Sequence, residues 1–533
     1  MCFRVMIRGM SQEIDLGGVK VPAADWEATP ESIKEAWLEM VRQMNKRLTK
    51  LETENEQLRQ QVAQLVERQR RNSKNSSQPP SQDGFGGKKA KGDGEKKQRK
   101  PLKLTRLEGK KERELYASEQ CQAVYEVRPQ VCSECGSGLN GEDTEPQRHQ
   151  VVEVPPLEPE VVEYRLHQLE CEHCGEKTRA ELPAGVSPRC YGERLAGLIG
   201  LLSSGEYRQS HRQVQSFLQA VFGIELSRGS INRVRQEVND AVAAAVVQAH
   251  TYVQHQPVIN CDETGFAQGN QDGGNPQRRR GWLWVLVTPL VSVFAVGLSR
   301  SQAIAQQLLG AAFGGCLGSD RCSSYGWLDS QQRQLSWARL TRDFQAMAER
   351  SGVSQEIGEA LLRRAYRLFH WWHRVRDATL SQELFVEAVQ LLRLGLQAEL
   401  QQAAQLPIAA HEKTPLAKTV RTCAQFLKVE SALWTFVTTP GVEPTNNAAE
   451  RALRPAVIWR LTSFGSQSRA GSEFVARMLM VGSSLKAQQR SVLEFLTQSC
   501  RAARLGVAGP SLLPLAQPSS ATSLSPPQTL ITL

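Results

Sequence analysis

The sequence contains no run of about 18 apolar residues, which excludes an ordinary transmembrane helix. Its start, MCFRVMIRGMSQEIDLGG, lacks the apolar stretch of a secretory signal, so the expected compartment is the cytosol with no membrane partner. In that compartment the 12 cysteines are expected as free thiols or metal ligands rather than disulfides. Acid is also in short supply, since Lys and Arg number 65 against 55 for Asp and Glu, a formal net charge of +10. The deficit is concentrated between Arg68 and Lys111, where Arg70, Arg71, Lys74, Lys88, Lys89, Lys91, Lys96, Lys97, Arg99, Lys100, Lys103, Arg106 and Lys110 meet few acids. A polyanionic partner follows, because each phosphate neutralised by such a chain releases counterions.

At 533 residues the chain is too long for one core and divides into modules. Residues 31–70 read as a leucine-zipper coiled coil. Trp37, Met44, Leu51, Leu58 and Leu65 recur every seventh residue at d, and Val41, Leu48, Asn55 and Val62 fall at a. Asn55 is the lone polar residue at a, a device that fixes register in a two-stranded coil. Arg47 and Glu54 at g face Glu52 and Arg59 at e, so the segment is expected to self-associate, with Leu51, Asn55, Leu58 and Leu65 in the interface. Residues 71–111 are expected to be a disordered basic linker, because Asn, Ser, Gln, Pro, Gly and Lys cannot bury enough apolar area to offset ordering entropy.

Residues 112–190 hold Cys132-Ser-Glu-Cys135 and Cys171-Glu-His-Cys174, each followed by glycine. Two such knuckles form a four-thiolate structural zinc site of ribbon type, with no open position for catalysis. About 35 residues separate them, longer than the compact pattern, and the intervening segment is expected as two strands. Residues 191–250 are expected to be helical, with a helix-turn-helix in which Gly223 ends one helix and Ser227 caps the next. The second helix brings Arg228, Ser230, Asn232 and Arg233, with Arg235, toward DNA.

The catalytic module is expected over 251–495. Val258 to Cys261 reads as a short strand ending on Asp262 and Glu263, followed by strands at 282–288 and in VSVFAVGLS, a helix in SQAIAQQLLG, and a fourth strand ending at Asp320. Alternation along the first strand sends Glu263 away from Asp262. A helical insertion is expected at about 343–440, and a disordered tail at 505–533. The segment 441–469, GVEPTNNAAERALRPAVIWRLTSFGSQSR, sets Glu450 among Asn446, Asn447, Arg451 and Arg454. An acid among amides and guanidiniums suits a site holding a hard cation and a phosphate chain together. Pro455 disfavours helix at Arg454 and should limit the Glu450 helix to about two turns.

Asp262, Asp320 and Glu450 together resemble the acids of DDE transposases with a ribonuclease-H-like core. CDETGF around Asp262, the D-R-x-x-x-Y of Asp320 to Tyr325, and EPTNNAAERALRPAVIWRLTSFGSQS look like the insertion sequence 66 family of transposases. The resemblance extends over the zipper, the NSKNSSQPPSQD segment and the cysteine knuckles, to about Phe495. It implies a multidomain α/β protein: coiled coil, zinc ribbon, helix-turn-helix and ribonuclease-H-like core with a helical insertion. It also implies cleavage and joining of double-stranded DNA at element ends and target in a bacterial, nucleoid-associated setting. Three carboxylates would hold two Mg²⁺ or Mn²⁺ ions about 3.5–4 Å apart. Asn446, Asn447, Arg451 and Arg454 would contact DNA, the chain would be a homodimer or larger, and companion proteins of the same element are conceivable partners. The rival readings are a zipper-dimerised zinc-containing regulator without catalysis and a nuclease that only hydrolyses. One departure stands out. After the second acid the family usually places Cys and His in C-x-A-H-x-x-R-D, and Ser336 and Arg339 occupy those positions here.

Overall fold

The structure, a computed structural model, describes residues 13–15, 20–70, 77 and 115–514. The chain divides into two compact units, Met1–Gly87 with Arg342–Leu362, and Lys88–Thr341 with Arg363–Leu533.

In the first unit, β1 (Glu13–Asp15) and β2 (Lys20–Pro22) form an antiparallel hairpin that leads into α1 (Ala23–Ala28) and α2 (Glu31–Arg70). Trp26 of α1 packs edge-on against Trp37 of α2, with ring centroids 5.5 Å apart. Beyond that contact α2 runs as one uninterrupted helix over 40 residues. Met44, Leu51, Leu58 and Val62 stand 56–59% exposed along it. So long an apolar row is not stabilised by its own unit, and intrahelical pairs such as Lys50–Glu54 at 3.8 Å add little. Leu65 has no described side chain. The expected basic linker lies outside the described residues apart from Ser77, whose N–H and hydroxyl both donate to Glu349.

The second unit begins with the cysteine segment and its hairpin of β3 (Gln168–Glu170) and β4 (Lys177–Arg179). Four helices follow: α3 (Glu193–Leu202), α4 (His211–Phe222), α5 (Arg228–Ala241) and α6 (Ala243–Gln254). The sheet comprises β5 (Val258–Gly265), β6 (Trp282–Val287), β7 (Ser292–Gly297), β8 (Cys316–Ser319) and β9 (Arg333–Leu335), with α7 (Gln302–Leu309) crossing between β7 and β8. Its order is β7-β6-β5-β8-β9, and β6 alone runs against the other four. The run WLWVLV in β6 has no polar alternation because Leu283 to Leu286 are buried on both faces. β9 escaped sequence reading, since three residues, Arg-Gln-Leu, show no period.

α8 (Trp337–Ala348), α9 (Val353–Arg376), α10 (Gln382–Ala404), α11 (Pro415–Lys428) and the short α12 (Thr435–Thr438) make the helical insertion. Within the first unit α8 and α9 close to such a distance that a Cβ on Gly358 would lie 2.2 Å from the Ala348 nitrogen, so only glycine fits there. α13 (Asn447–Ser463), α14 (Arg469–Ala487) and α15 (Val492–Leu505) complete the unit.

Four expectations change. Asp262 and Glu263 lie inside β5, which continues to Gly265. Pro455 does not stop α13, which runs on to Ser463. The ring removes one backbone bond, at about 3 kcal/mol or more, but the second half buries Ala456 and Trp459 and ties Arg460 to Thr264 Oγ1 and the Gly265 carbonyl at 2.6 Å each. The helical segment at 191–250 is not a free-standing module, because α3 to α6, the sheet and α13 to α15 share one hydrophobic cluster. Residues 506–513, placed in the disordered tail, are packed: Leu512 is buried, and Arg490 donates to the carbonyls of Ser511 and Leu513. Residues 515–533 lie outside the described residues.

Arg504 of α15 fastens the helical layer. Its guanidinium, 6% exposed, donates to Glu237 of α5 at 2.7 Å and to Glu193 of α3 at 2.9 Å. Truncating one member of such a set leaves buried charge uncompensated, so Arg504→Met should lower the unfolding free energy by about 2–4 kcal/mol. Urea unfolding followed by tryptophan fluorescence checks this.

Candidate active site

Three stretches far apart in sequence meet at the end of β5 and β8. β5 and β8 are parallel with Asn260 opposite Gly318, and two further steps bring Asp262 level with Asp320. Asn446 immediately precedes α13 and is buried, 2% exposed. Its side-chain amide donates to the Cys261 carbonyl at 2.8 Å, and its N–H donates to Ser336 Oγ at 3.2 Å. The Ser336 N–H in turn donates to the Ser319 carbonyl at 3.0 Å, beside Asp320. These bonds seat the first turn of α13, and with it Glu450, against the strands that carry the aspartates. Burial removes Asn446 from the expected DNA contacts. Asn447, Arg451 and Arg454 remain exposed at i, i+4 and i+7 along one side of α13.

The acids fall into two groups, each with an arginine. Arg339, at the start of α8, places Nε 3.3 Å from Glu450 Oε1. The same guanidinium acts on Asp262, whose carboxyl is 6% exposed and is pushed up to about 7, first by burial and then by the charges of Glu263 and Asp320, with Arg339 opposing them. The second group surrounds Glu263, which the strand alternation turns away from Asp262 and into a buried pocket. Arg300 Nε donates to Glu263 at 2.6 Å, the Tyr325 hydroxyl also donates to it, and Arg300 lies 3.7 Å from Asp320. Among the described residues the set of mutually close metal-ligand atoms is Glu263, Asp320 and Cys322, so Asp320 approaches Glu263 rather than closing on Asp262 and Glu450. The Cys322 N–H donates to Asp320 Oδ1 at 2.8 Å and helps to hold it there.

Sequence reading passed over Glu263, Arg300 and the contact made by Arg339. Tyr325 was visible in the D-R-x-x-x-Y run, and its role here is to anchor Glu263 and bond Cys261 Sγ at 3.2 Å. Burial raises both the Tyr325 phenol and the Cys261 thiol well above their ordinary values.

The donor chemistry suits a hard cation: Asp262, Asp320 and Glu450 offer only oxygen, and the buried Asn446 Oδ1 beside them has no hydrogen-bond partner. Such an orphan oxygen is costly unless an ion or water meets it.

The two cysteine knuckles are built alike. Cys132 and Cys171 each accept from the glycine N–H four residues on, at 2.9 and 2.8 Å, and Gly136 and Gly175 take the left-handed φ (71° and 74°) that this tight turn requires. The Cys135 thiol falls to about 7 through bonds from the Ser137 hydroxyl and backbone, and the Cys171 thiol is lowered by the backbone of Cys174 and His173. Thiols lowered in this way are prepared for metal. The two pairs are not gathered into one four-thiolate group among the described residues. No residue described between 115 and 190 is buried, so this segment has no core to hold it and relies on another tie.

Gly223 ends α4 in the left-handed conformation, and Ser227 Oγ accepts from the Ser230 N–H to begin α5, as the sequence indicates. Arg228, Asn232 and Arg233 of α5 are exposed. Ser230 spends its hydroxyl on Ser227 Oγ at 3.0 Å, and Arg235 turns inward over the Phe474 ring, 4.1 Å from its centroid.

Residues 205–473, about half of the 533-residue chain, match the family model described as transposase IS66 family. Residues 129–175 match the zinc-finger binding domain of transposase IS66, and residues 27–114 match a family of unknown function, DUF6444. No curated protein matches the chain. The α/β unit with its acids and the cysteine knuckles are therefore those of a transposase. The chain belongs to the IS66 family, and the zinc-finger match supports a structural zinc held by Cys132, Cys135, Cys171 and Cys174. Among the described residues no helix is long and apolar enough to cross a membrane.

Two outcomes are expected. Purified chain should carry one zinc by elemental analysis, and Cys132→Ser with Cys171→Ser should lose it. The folded chain also holds the Asp262 proton more tightly than the unfolded chain, with a pKa of about 7 against 3.8, so stability is fully present below the lower value and lost as pH rises through the higher one. Asp262→Asn should therefore raise the melting temperature in magnesium-free buffer at pH 8 and change it little at pH 4, as calorimetry would read.

Proposed function

We propose that this chain cuts and joins double-stranded DNA at the ends of a bacterial insertion sequence by two-metal-ion phosphoryl transfer of the DDE type. Asp262, Asp320 and Glu450 are the catalytic acids in this reading. The observation that carries it is the seating of Glu450 against β5 and β8 by Asn446 and Ser336. A mixed five-stranded sheet with acids on its two adjoining central strands supports a ribonuclease-H-like core.

A divalent ion, Mg²⁺ or Mn²⁺, would activate water or a 3′-hydroxyl and stabilise the leaving oxygen. The carboxylates of Asp262, Asp320 and Glu450 would hold it. Asn447, Arg451 and Arg454, exposed on α13, bind the phosphates on either side of the scissile bond, where an arginine fork matches phosphate oxygens. Arg228, Asn232 and Arg233 of α5 hold the duplex at a second place. The exposed apolar row of α2 supports a parallel coiled coil through Leu51, Asn55, Leu58 and Leu65, so that a homodimer brings two element ends together. The work is done on chromosomal DNA in the cytoplasm, where companion proteins of the same element are potential partners.

A regulator that binds without cutting is favoured by one observation, the pairing of Arg339 with Glu450. It leaves unexplained why the chain keeps Asp262 charged and buried at a cost in stability. Supercoiled DNA carrying element ends, incubated with the protein and Mg²⁺, separates the readings. Cleavage and joining are expected, with a loss of at least about 10³-fold in Asp262→Asn, as removal of a metal-held transition-state contact implies. Equal cutting by Asp262→Asn would refute this site, and binding with no cut at all would favour the regulator.

A further inference from the structure

Arg339 stands where the family places histidine, and the structure shows what that exchange does. α8 begins on Trp337, which is fully buried, donates its indole N–H to the Leu433 carbonyl at 2.8 Å, and donates its backbone N–H to the Pro444 carbonyl at 2.9 Å. Two residues on, Arg339 is therefore carried on an anchored helix start, and its N–H donates to the Ser336 carbonyl at 3.0 Å. Its guanidinium reaches Glu450 at 3.3 Å and acts on Asp262 from the same position. The contact is a poor example of an arginine–carboxylate pair. Nε makes no aligned hydrogen bond, and the bidentate fork that gives such pairs their strength is missing. The side chains are 37% and 30% exposed, so solvent reaches the pair and it is weakly held.

We propose that Arg339 is a tethered cation that stands in the divalent-metal position between Asp262 and Glu450 and competes with the ion for those oxygens. This rests on the reading of Asp262, Asp320 and Glu450 as metal-holding acids and adds a feature of this chain's own site. Neutral imidazole can accept a metal through a ring nitrogen, whereas a guanidinium has no acceptor and stays charged. Replacing the one by the other converts a group compatible with a bound ion into one that repels it. The charge sits within a few ångströms of the site, where an added unit charge is worth more than in open water. A polyanion offers Arg339 another partner. DNA phosphate drawn to the exposed Arg451 and Arg454 nearby would give the guanidinium bidentate oxygens better aligned than Glu450, and the acids would then be released to the metal. Metal binding should therefore be weak in the free chain and strengthen when DNA is present.

Mn²⁺ binding to the full zinc-loaded chain, followed by electron paramagnetic resonance, tests this without any catalytic readout. Arg339→Gln and Arg339→His should bind Mn²⁺ on the order of tenfold more tightly than the parent, while Arg339→Lys should stay near it, as expected for a partly screened charge. Element-end DNA should tighten Mn²⁺ binding by the parent and leave Arg339→Gln little changed. Equal affinity in parent, Arg339→Gln and Arg339→His would overturn the inference. A fall in melting temperature for Arg339→Gln with unchanged Mn²⁺ affinity would also overturn it, since that is the mark of a purely structural ion pair. Asp262→Asn added to Arg339→Gln distinguishes this failure from failure of the site. Loss of the tight binding supports both readings, and its persistence places the ion elsewhere and removes the proposed acids with it. If Arg339→Gln gains nothing while Asp262→Asn still weakens the parent, the tethered cation falls and the acids stand.

Discussion

The site depends on the fastening of α13 to the sheet by Asn446. One buried amide bonds the backbone of β5 beside Asp262, and the N–H of the same residue bonds Ser336, which is itself tied to the end of β8. Without that fastening, Glu450 is an acid on a surface helix with no reason to face two aspartates distant in sequence. Arg460 repeats the connection two turns on, at Thr264 and Gly265. The helix is thus pinned at both ends of its contact with β5, which explains how it persists through Pro455 although the proline costs a backbone bond.

Burying carboxylates on a strand raises a second constraint, because each must be neutralised, ligated or protonated. The chain answers with guanidiniums. Arg300 serves Glu263 and Asp320, and Arg339 serves Glu450 and Asp262. The consequence is two acid groups rather than one closed triad, with Asp320 drawn toward Glu263. The same solution appears in the structural part of the unit, where Arg504 joins Glu193 to Glu237 and Arg393 joins Glu430. In those places the pairs are well aligned and close, whereas the Arg339 pair is not. That difference separates a permanent ion pair from one open to exchange.

Much of the fold was legible locally. Ser227 and Gly223 cap the helices as their chemistry demands, the apolar runs at 282–287 and 292–297 are strands, and each C-x-x-C-G run closes the same tight turn. These depend on neighbours within a few residues, which the sequence displays directly. What was not legible depended on partners far along the chain. β9 is recognisable only beside β8, and α13 continues past Pro455 because Ala456 and Trp459 find a core. Asn446 and Asn447 are adjacent and chemically alike, yet one is buried and one exposed. Glu263 looked idle from strand alternation, which predicts the face of a side chain but not what waits on it.

By itself, then, the sequence determined which residue types were present and which short-range structures they form: the heptads, the knuckles, the caps, and the three acids in their surrounding wording. Those follow from backbone geometry and from hydrogen bonds between near neighbours. Only the tertiary structure decided which acids meet and which cation stands between them. Ion pairs and buried hydrogen bonds act over a few ångströms, and the chain brings Arg339, Asp262 and Glu450 within that range only after the sheet and α13 have packed.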